Sequence, residues 1–153
     1  MDYQLLNEKL IGLSRGVDYD ITILANASAL IYRYLAWVSW CGFYILMDGS
    51  LKLGPFQGKY ACAKIMPGEG VCGTAAAEDR TVVVPNVSEF DGYIACDNAT
   101  NSEIVIPIHR NGRLFAVWDL DSIVYNRFSP EDVAGLEFLV RSLENILDTI
   151  DVK

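Results

Sequence analysis

The chain has one histidine, His109, and none of its four cysteines, Cys41, Cys62, Cys72 and Cys96, forms a C-x-x-C pair. The first scarcity leaves little for a Cys/His nucleophile or a histidine-rich metal centre, and the second argues against zinc at its usual spacing. Basic residues are also few, 12 against 20 acidic ones for a net charge of −8, with no Lys/Arg cluster. A phosphate backbone would be repelled, so no nucleic-acid partner is expected. The start Met1-Asp2-Tyr3-Gln4 lacks the charged-then-apolar layout of an export signal, and the most apolar stretch, Leu30 to Met47, is interrupted by Arg33. We expect a cytoplasmic protein without a membrane span, in which the glycosylation patterns at Asn26, Asn86 and Asn98 carry no weight. Stable disulfides are rare in a reducing cytoplasm, which leaves the cysteines to packing or to transient catalytic disulfide chemistry. There is no linker, repeat or low-complexity segment, and 52% of the 153 residues are apolar, so residues 1–153 are read as one domain with its own core.

What is present reads as α+β. Leu5, Leu6, Leu10 and Leu13 before Gly16, and Ile21 to Leu35 after Asp20, have helical spacing. Trp40 to Met47 is aromatic and β-favouring, and Asp48-Gly49 turns it into Leu51-Lys52-Leu53. Gly54-Pro55-Phe56-Gln57-Gly58 is expected to break this pattern, and Ala61 to Ile65 to resume it as a strand placing Cys62 and Lys64 on one face. Pro67-Gly68-Glu69-Gly70 reads as a turn into a short helix of small residues ending at Glu78. Without a following G-K-S/T or a complete G-x-G-x-x-G, these glycines are turn residues rather than a phosphate cradle. Thr81 to Val84 suits a buried strand. Glu103 to Arg110 and Leu114 to Asp121 are strands joined by Asn111-Gly112, and Ser129-Pro130-Glu131-Asp132 starts an amphipathic helix toward Ile150. The result is a central, mostly antiparallel sheet flanked by N- and C-terminal helices.

Two features point to chemistry. Cys96 lies in the polar loop Gly92 to Glu103, where a thiol is reachable by solvent rather than packed in apolar surroundings. Asp119 and Asp121, two apart on a strand, project to one face, and the hairpin is expected to bring Glu103 near Asp119. Acids here are either solvated at the strand end or gathered into a cation or acid site. Gathered carboxylates bind an ammonium group, and their repulsion keeps a proton on one of them. Magnesium or calcium is the competing use, but no D-x-D-x-D-G loop accompanies the acids, and no metal centre is expected. Trp40 and Tyr44 share a face, as a pocket wall or as core. His109 reads as structural.

Trp40-Cys41-Gly42-Phe43-Tyr44, Leu53 to Gly58, Gly70 to Ala75, Ile94-Ala95-Cys96-Asp97, Ser102-Glu103 and Asp119 to Ser122 together resemble the free methionine-(R)-sulfoxide reductases, enzymes built on a GAF domain. The resemblance runs from about Trp40 to Ser122 and departs at Cys41, beside the pocket tryptophan, and at Trp118, where an aliphatic residue is expected. It implies a GAF-like fold, with Cys96 as catalytic cysteine, Cys62 as resolving partner and Cys72 as an auxiliary thiol. Glu103, Asp119 and Asp121 become catalytic and substrate-binding acids, and Trp40 and Tyr44 pocket aromatics. The implied substrate is free methionine sulfoxide. No tightly bound cofactor is implied, only an external dithiol reductant of the thioredoxin type, and the expected assembly is a homodimer. A non-enzymatic GAF sensor of small amino compounds is the alternative.

Overall fold

The computed structural model describes residues 1–150, and its framework is a sheet whose central strands are covered on both faces. Along the chain the strands are β1 (Val38–Met47), β2 (Ser50–Gln57), β3 (Lys64–Ile65), β4 (Val82–Val84), β5 (Ser102–Arg110) and β6 (Arg113–Ser122). Their order across the sheet is β3-β2-β1-β6-β5-β4, and every pair is antiparallel. The β1–β2 and β5–β6 turns each place two residues at positive φ, Asp48 and Gly49 in one and Asn111 and Gly112 in the other. That is the geometry a two-residue turn needs between right-twisted strands, and it sets the register of both hairpins.

The helices are α1 (Tyr3–Ser14), α2 (Asp20–Tyr34), α3 (Gly70–Glu78) and α4 (Pro130–Asp148). Side chains alternate across each strand, so the sheet feeds two cores. Cys41, Phe43, Ile104, Ile106, Trp118 and Leu120 pack with leucines and isoleucines of α1, α2 and α4. On the other face Trp40, Tyr44, Val105 and Val117 pack with Val71, Cys72 and Ala75 of α3 and with Val82 and Val84. The amino end of α4 carries the expected Ser129 cap, which with Asp132 forms a capping box. Asp132 also accepts hydrogen bonds from the Tyr3 hydroxyl (2.6 Å) and Arg127 Nη1 (2.9 Å), which ties α1 to α4.

Several expectations change. Gly54-Pro55-Phe56 does not break β2, which runs on to Gln57. Gly42 pairs with Phe56 and Tyr44 with Leu53, so Gly54 and Pro55 together oppose Phe43 in a bulge. β3 pairs only with Leu51 and Lys52, so Pro55 lies where β2 is an edge strand, a setting that tolerates proline. The strand expected over Ala61 to Ile65 shrinks to Lys64–Ile65, and Cys62 lies on the connection before it, so the face shared with Lys64 is lost. The edge strand β4 leaves Val83 exposed, and α4 ends at Asp148 rather than Ile150. Cys41 is fully buried on the helix side, and Trp118 stacks there on Phe43 with ring centroids 5.1 Å apart. Neither departure faces the side on which Trp40 lies. Among the described residues, no helix is long and apolar enough to cross a membrane.

His109 is structural. Its Nδ1 lies 2.9 Å from Glu144 Oε2 of α4 and its Nε2 2.7 Å from Asp79 Oδ1, the residue that ends α3 in a left-handed conformation. Burial disfavours the imidazolium, but the bonds and charges of Glu144 and Asp79 outweigh it and raise the pKa. A group whose folded pKa is raised stabilises the fold fully below its unfolded value, about 6.5, and loses that contribution as pH rises through the folded value. Denaturant titrations of wild type and His109→Gln should therefore differ most below about pH 6.5 and converge at higher pH. A pH-independent difference would show that the imidazolium is not what holds the two helices.

Candidate active site

The acids converge because the hairpin register places them so. Glu103 lies directly opposite Asp121 across β5 and β6, with Asp119 on the diagonal opposite Val105. On the other side of β6, Trp40 lies opposite Asp121 and Gly42 opposite Asp119. Gly42 must lack a side chain, because a Cβ there would stand 2.3 Å from Phe56 Cβ and 2.7 Å from the Trp40 ring. Its absence lets Trp40 stack on Phe56, centroids 5.3 Å apart, and lie 6.1 Å from the Tyr44 ring. Of the two readings left open for the acids, solvated or gathered, the second holds. Glu103 and Asp119 are each only 5% exposed, and one oxygen of each lies with Cys72 Sγ in a set whose members are all within 4.8 Å of one another.

Burial without a basic partner dictates the protonation. Burial pushes the Glu103 carboxyl well above the usual carboxylate range, and the charges of Asp119 and Asp121 push it further. Asp121 is raised well above its ordinary value by burial first and then by Asp119. Asp119 is raised by burial too, but hydrogen bonds from Glu103, Asp121 and Cys72 favour its charged form. Asp119, raised less than the other two and accepting from both of them and from the thiol, is thus the most readily ionised of the three. Burial, then the charges of Asp119, Glu103 and Asp121, raises the Cys72 thiol well above its normal value, so it stays protonated. The Tyr44 hydroxyl is raised by burial and then by the same acids.

The pocket aromatics also hold a cysteine segment. Trp40 Nε1 donates to the Lys59 carbonyl (2.9 Å) and the Tyr44 hydroxyl to the Cys62 carbonyl (2.9 Å). These two bonds fasten the segment before β3 to the aromatics beneath it. Cys62 forms a disulfide with Cys96, with Cα atoms 5.5 Å apart, within the ordinary disulfide range. The loop bearing Cys96 bonds mainly to itself, through Tyr93 N to Phe90 O, Cys96 N to Ile94 O and Thr100 N to Asp97 O, and rejoins the sheet at Asn101, whose N–H donates to Ser122 O.

Trp40, Tyr44, Cys72, Cys96, Glu103, Asp119 and Asp121 line one cavity with room for about 30 Å³, and Cys62 lies just behind its wall, next to the lining residue Ala61. Every site residue expected from sequence therefore meets here, whereas Cys41 does not. The residues missed are Tyr60, Tyr93 and the first turn of α3 from Glu69 to Val71. Tyr93 had a signal in its aromatic turn beside the cysteine loop. Tyr60, 91% exposed at the rim, had none. The α3 turn was legible only as a turn, because tertiary packing is what brings Glu69, Gly70 and Val71 to the cavity. With a disulfide at its wall and three buried acids at its floor, the cavity suits a small cationic, reducible ligand.

A GAF domain model matches residues 21–147. The free methionine-R-sulfoxide reductase of Escherichia coli is 48% identical over 151 residues, covering 99% of this chain and 92% of that protein. The solved structure of fRMsr of Staphylococcus aureus in its reduced form superposes with a TM-score of 0.92 at 43% identity, covering 95% of each chain. That of free methionine-R-sulfoxide reductase from Neisseria meningitidis in complex with its substrate gives 0.91 at 34% identity, covering 95% of this chain and 88% of the other.

A carboxyl whose folded pKa is raised stabilises the fold below its unfolded value, about 4.3 for glutamate, and ceases to as pH rises through the folded value. The disulfide form of Glu103→Gln should therefore exceed wild type in stability at pH 7 by at least about 1 kcal/mol, with the gap closing below roughly pH 4. Equal stability at both pH values in thermal melts would mean that Glu103 ionises normally.

Proposed function

The chain belongs to the free methionine-(R)-sulfoxide reductases, a family built on the GAF domain, and from that premise we propose that it reduces free L-methionine-(R)-S-oxide to L-methionine. The observation that supports this most is the Cys62–Cys96 disulfide at a cavity floored by Glu103, Asp119 and Asp121.

In the proposed cycle, Glu103 or Asp121, both protonated, hydrogen-bonds the sulfoxide oxygen and draws electron density from sulfur. The Cys96 sulfur attacks the substrate sulfur, and oxygen passes from substrate to cysteine. Methionine leaves, and Cys96 remains as a sulfenic acid. The Cys62 thiol attacks that sulfenic sulfur, water departs and the disulfide forms. An external dithiol of the thioredoxin type reduces it by exchange, becoming a disulfide itself. Asp119, the buried anion, holds the substrate ammonium, and the open amides of the α3 first turn suit its carboxylate. A methionine within a peptide offers neither charge, which accounts for a demand for the free amino acid. Cys72 is an auxiliary thiol that hydrogen-bonds Asp119.

Nearby carboxylates oppose formation of a Cys96 thiolate, so the substrate's positive charge is part of the activation. The space of about 30 Å³ suits a water molecule, not a methionine sulfoxide. The disulfide state is therefore the emptied one, and reduction must free the Cys96 loop before substrate enters. The exposed Leu5, Leu13, Tyr32 and Tyr34 of α1 and α2 support a homodimer, and the family supports a cytoplasmic location.

With free methionine sulfoxide and dithiothreitol, methionine should appear from the R sulfoxide only, and Cys96→Ser should abolish it. Turnover unchanged in Cys96→Ser would sink the assignment. Cys62→Ser should release one methionine per protein and then stall with thioredoxin as reductant; continued cycling would mean another thiol resolves. Glu103→Gln with Asp121→Asn should lower kcat by roughly 100-fold or more.

A further inference from the structure

The donor set in this cavity differs from the one legible in sequence. The acids alone suit hard cations such as magnesium or calcium, which take oxygen ligands. The fold adds sulfur. Cys72 on α3, Glu103 on β5 and Asp119 on β6 are all buried, and one ligand atom of each lies within 4.8 Å of the other two. A tetrahedral zinc ion with sulfur at about 2.3 Å and carboxylate oxygens at about 2.0–2.2 Å needs its donors roughly 3.5 Å apart, a contraction within reach of small side-chain rotations.

A second observation is independent of that clustering. Asp119 is 5% exposed and lines the cavity, yet among the described residues its Oδ1 has no hydrogen-bond partner. Asp121 Oδ1, from the same strand face, is likewise buried and unpartnered. Buried oxygens of this kind carry a desolvation cost that a bound cation would remove.

We propose that Cys72, Glu103 and Asp119 form a binding site for a thiophilic divalent cation, zinc above all, with Asp121 or a water as fourth ligand. Mixed thiolate and carboxylate ligation excludes magnesium and calcium and suits zinc or cadmium. Binding displaces the Cys72 proton to solvent, since the thiolate is the ligand, and consumes no oxidant or reductant. The site does not need the Cys62–Cys96 pair, so it exists in the disulfide form, where the cavity has room for an ion and little else. One consequence rests on the proposed function: in the reduced protein, zinc would occupy the carboxylates assigned to the substrate ammonium and so compete with substrate.

The test uses the disulfide form, so its outcome is independent of whether the protein is a reductase. There the free thiols are Cys72 and Cys41, and Cys41 is fully buried on the opposite face of the sheet. Cobalt(II), a coloured probe for zinc sites, is titrated into the protein and absorption is followed. The proposal expects a thiolate-to-cobalt charge-transfer band saturating at one ion per chain, bleached by zinc but not by excess magnesium. The band should be absent in Cys72→Ser and in Cys72→Ala, and Glu103→Gln should weaken cobalt affinity by at least about tenfold, the scale of losing one supporting group at a metal site. No band in the wild-type protein, a band that survives both Cys72 substitutions, or displacement by magnesium would overturn it. The wild-type titration alone suffices for the first outcome, so it stands even if a variant fails to fold.

Discussion

Glu103, Asp119 and Asp121 share one face of the sheet, and among the described residues no lysine or arginine lines the cavity they enter. Two unit charges 4 Å apart repel by about 4 kcal/mol at a dielectric typical of pairs near a protein surface, so three ionised carboxylates could not be kept together here. Protons, or a cation from outside, must neutralise most of that charge. The remaining properties follow from this. Burial and the neighbouring acids raise the carboxyls of Glu103 and Asp121 and the thiol of Cys72 beside them, which favours their neutral forms.

Holding such a cluster requires a frame that does not relax to relieve it. The two-faced sheet supplies that frame. β1, β5 and β6 are pinned from behind by the core of α1, α2 and α4, while α3 closes over the front and brings Cys72 against Asp119. The capping box of α4, with Tyr3 and Arg127 bound to Asp132, locks the rear helices together, so the cost at the front is borne by packing elsewhere. The same alternation that delivers the acids forward sends Cys41 and Trp118 backward. A thiol adjacent in sequence to the pocket tryptophan is thereby isolated from the chemistry by one residue of strand pleat.

The acid cluster was legible in the sequence because it depends only on local rules: a two-residue period, and an Asn111-Gly112 turn that fixes the register of Glu103 against Asp121. The helices were legible through spacing and through the Ser129 cap. What could not be read depended on contacts between distant segments. The segment around Cys62 has strand-like alternation, yet Trp40 and Tyr44 take its carbonyls and hold it as a connection. Gly54-Pro55 looks like a break because proline and glycine usually are; a bulge opposite Phe43 absorbs them. The partners of His109 could not be read, because a register shift falls at Ile108/His109 and they come from the end of α3 and from α4. The pairing of Cys62 with Cys96 came from family resemblance, since spacing alone left all the cysteines open.

The Cys96 loop connects the electrostatic constraint to the redox one. Its backbone bonds close on themselves, its far end is the Asn101 anchor just before Glu103, and its middle is fastened across the cavity by the disulfide to Cys62. Tyr93 and Ile94 of the loop pack over the α3 turn, with Ile94 against Gly70, where a Cβ would stand 3.1 Å from Ile94 Cδ1. The loop is therefore a cover whose latch is the disulfide itself. While the latch is closed, the acids sit in a space too small for an amino acid, and only protons or a small ion can neutralise them. In the proposed cycle, opening the latch lets a cationic ligand replace those protons. A nucleophile at Cys96, on the cover rather than on the rigid sheet with the acids, would then serve both as the group that meets the ligand and as the group that closes the site after it.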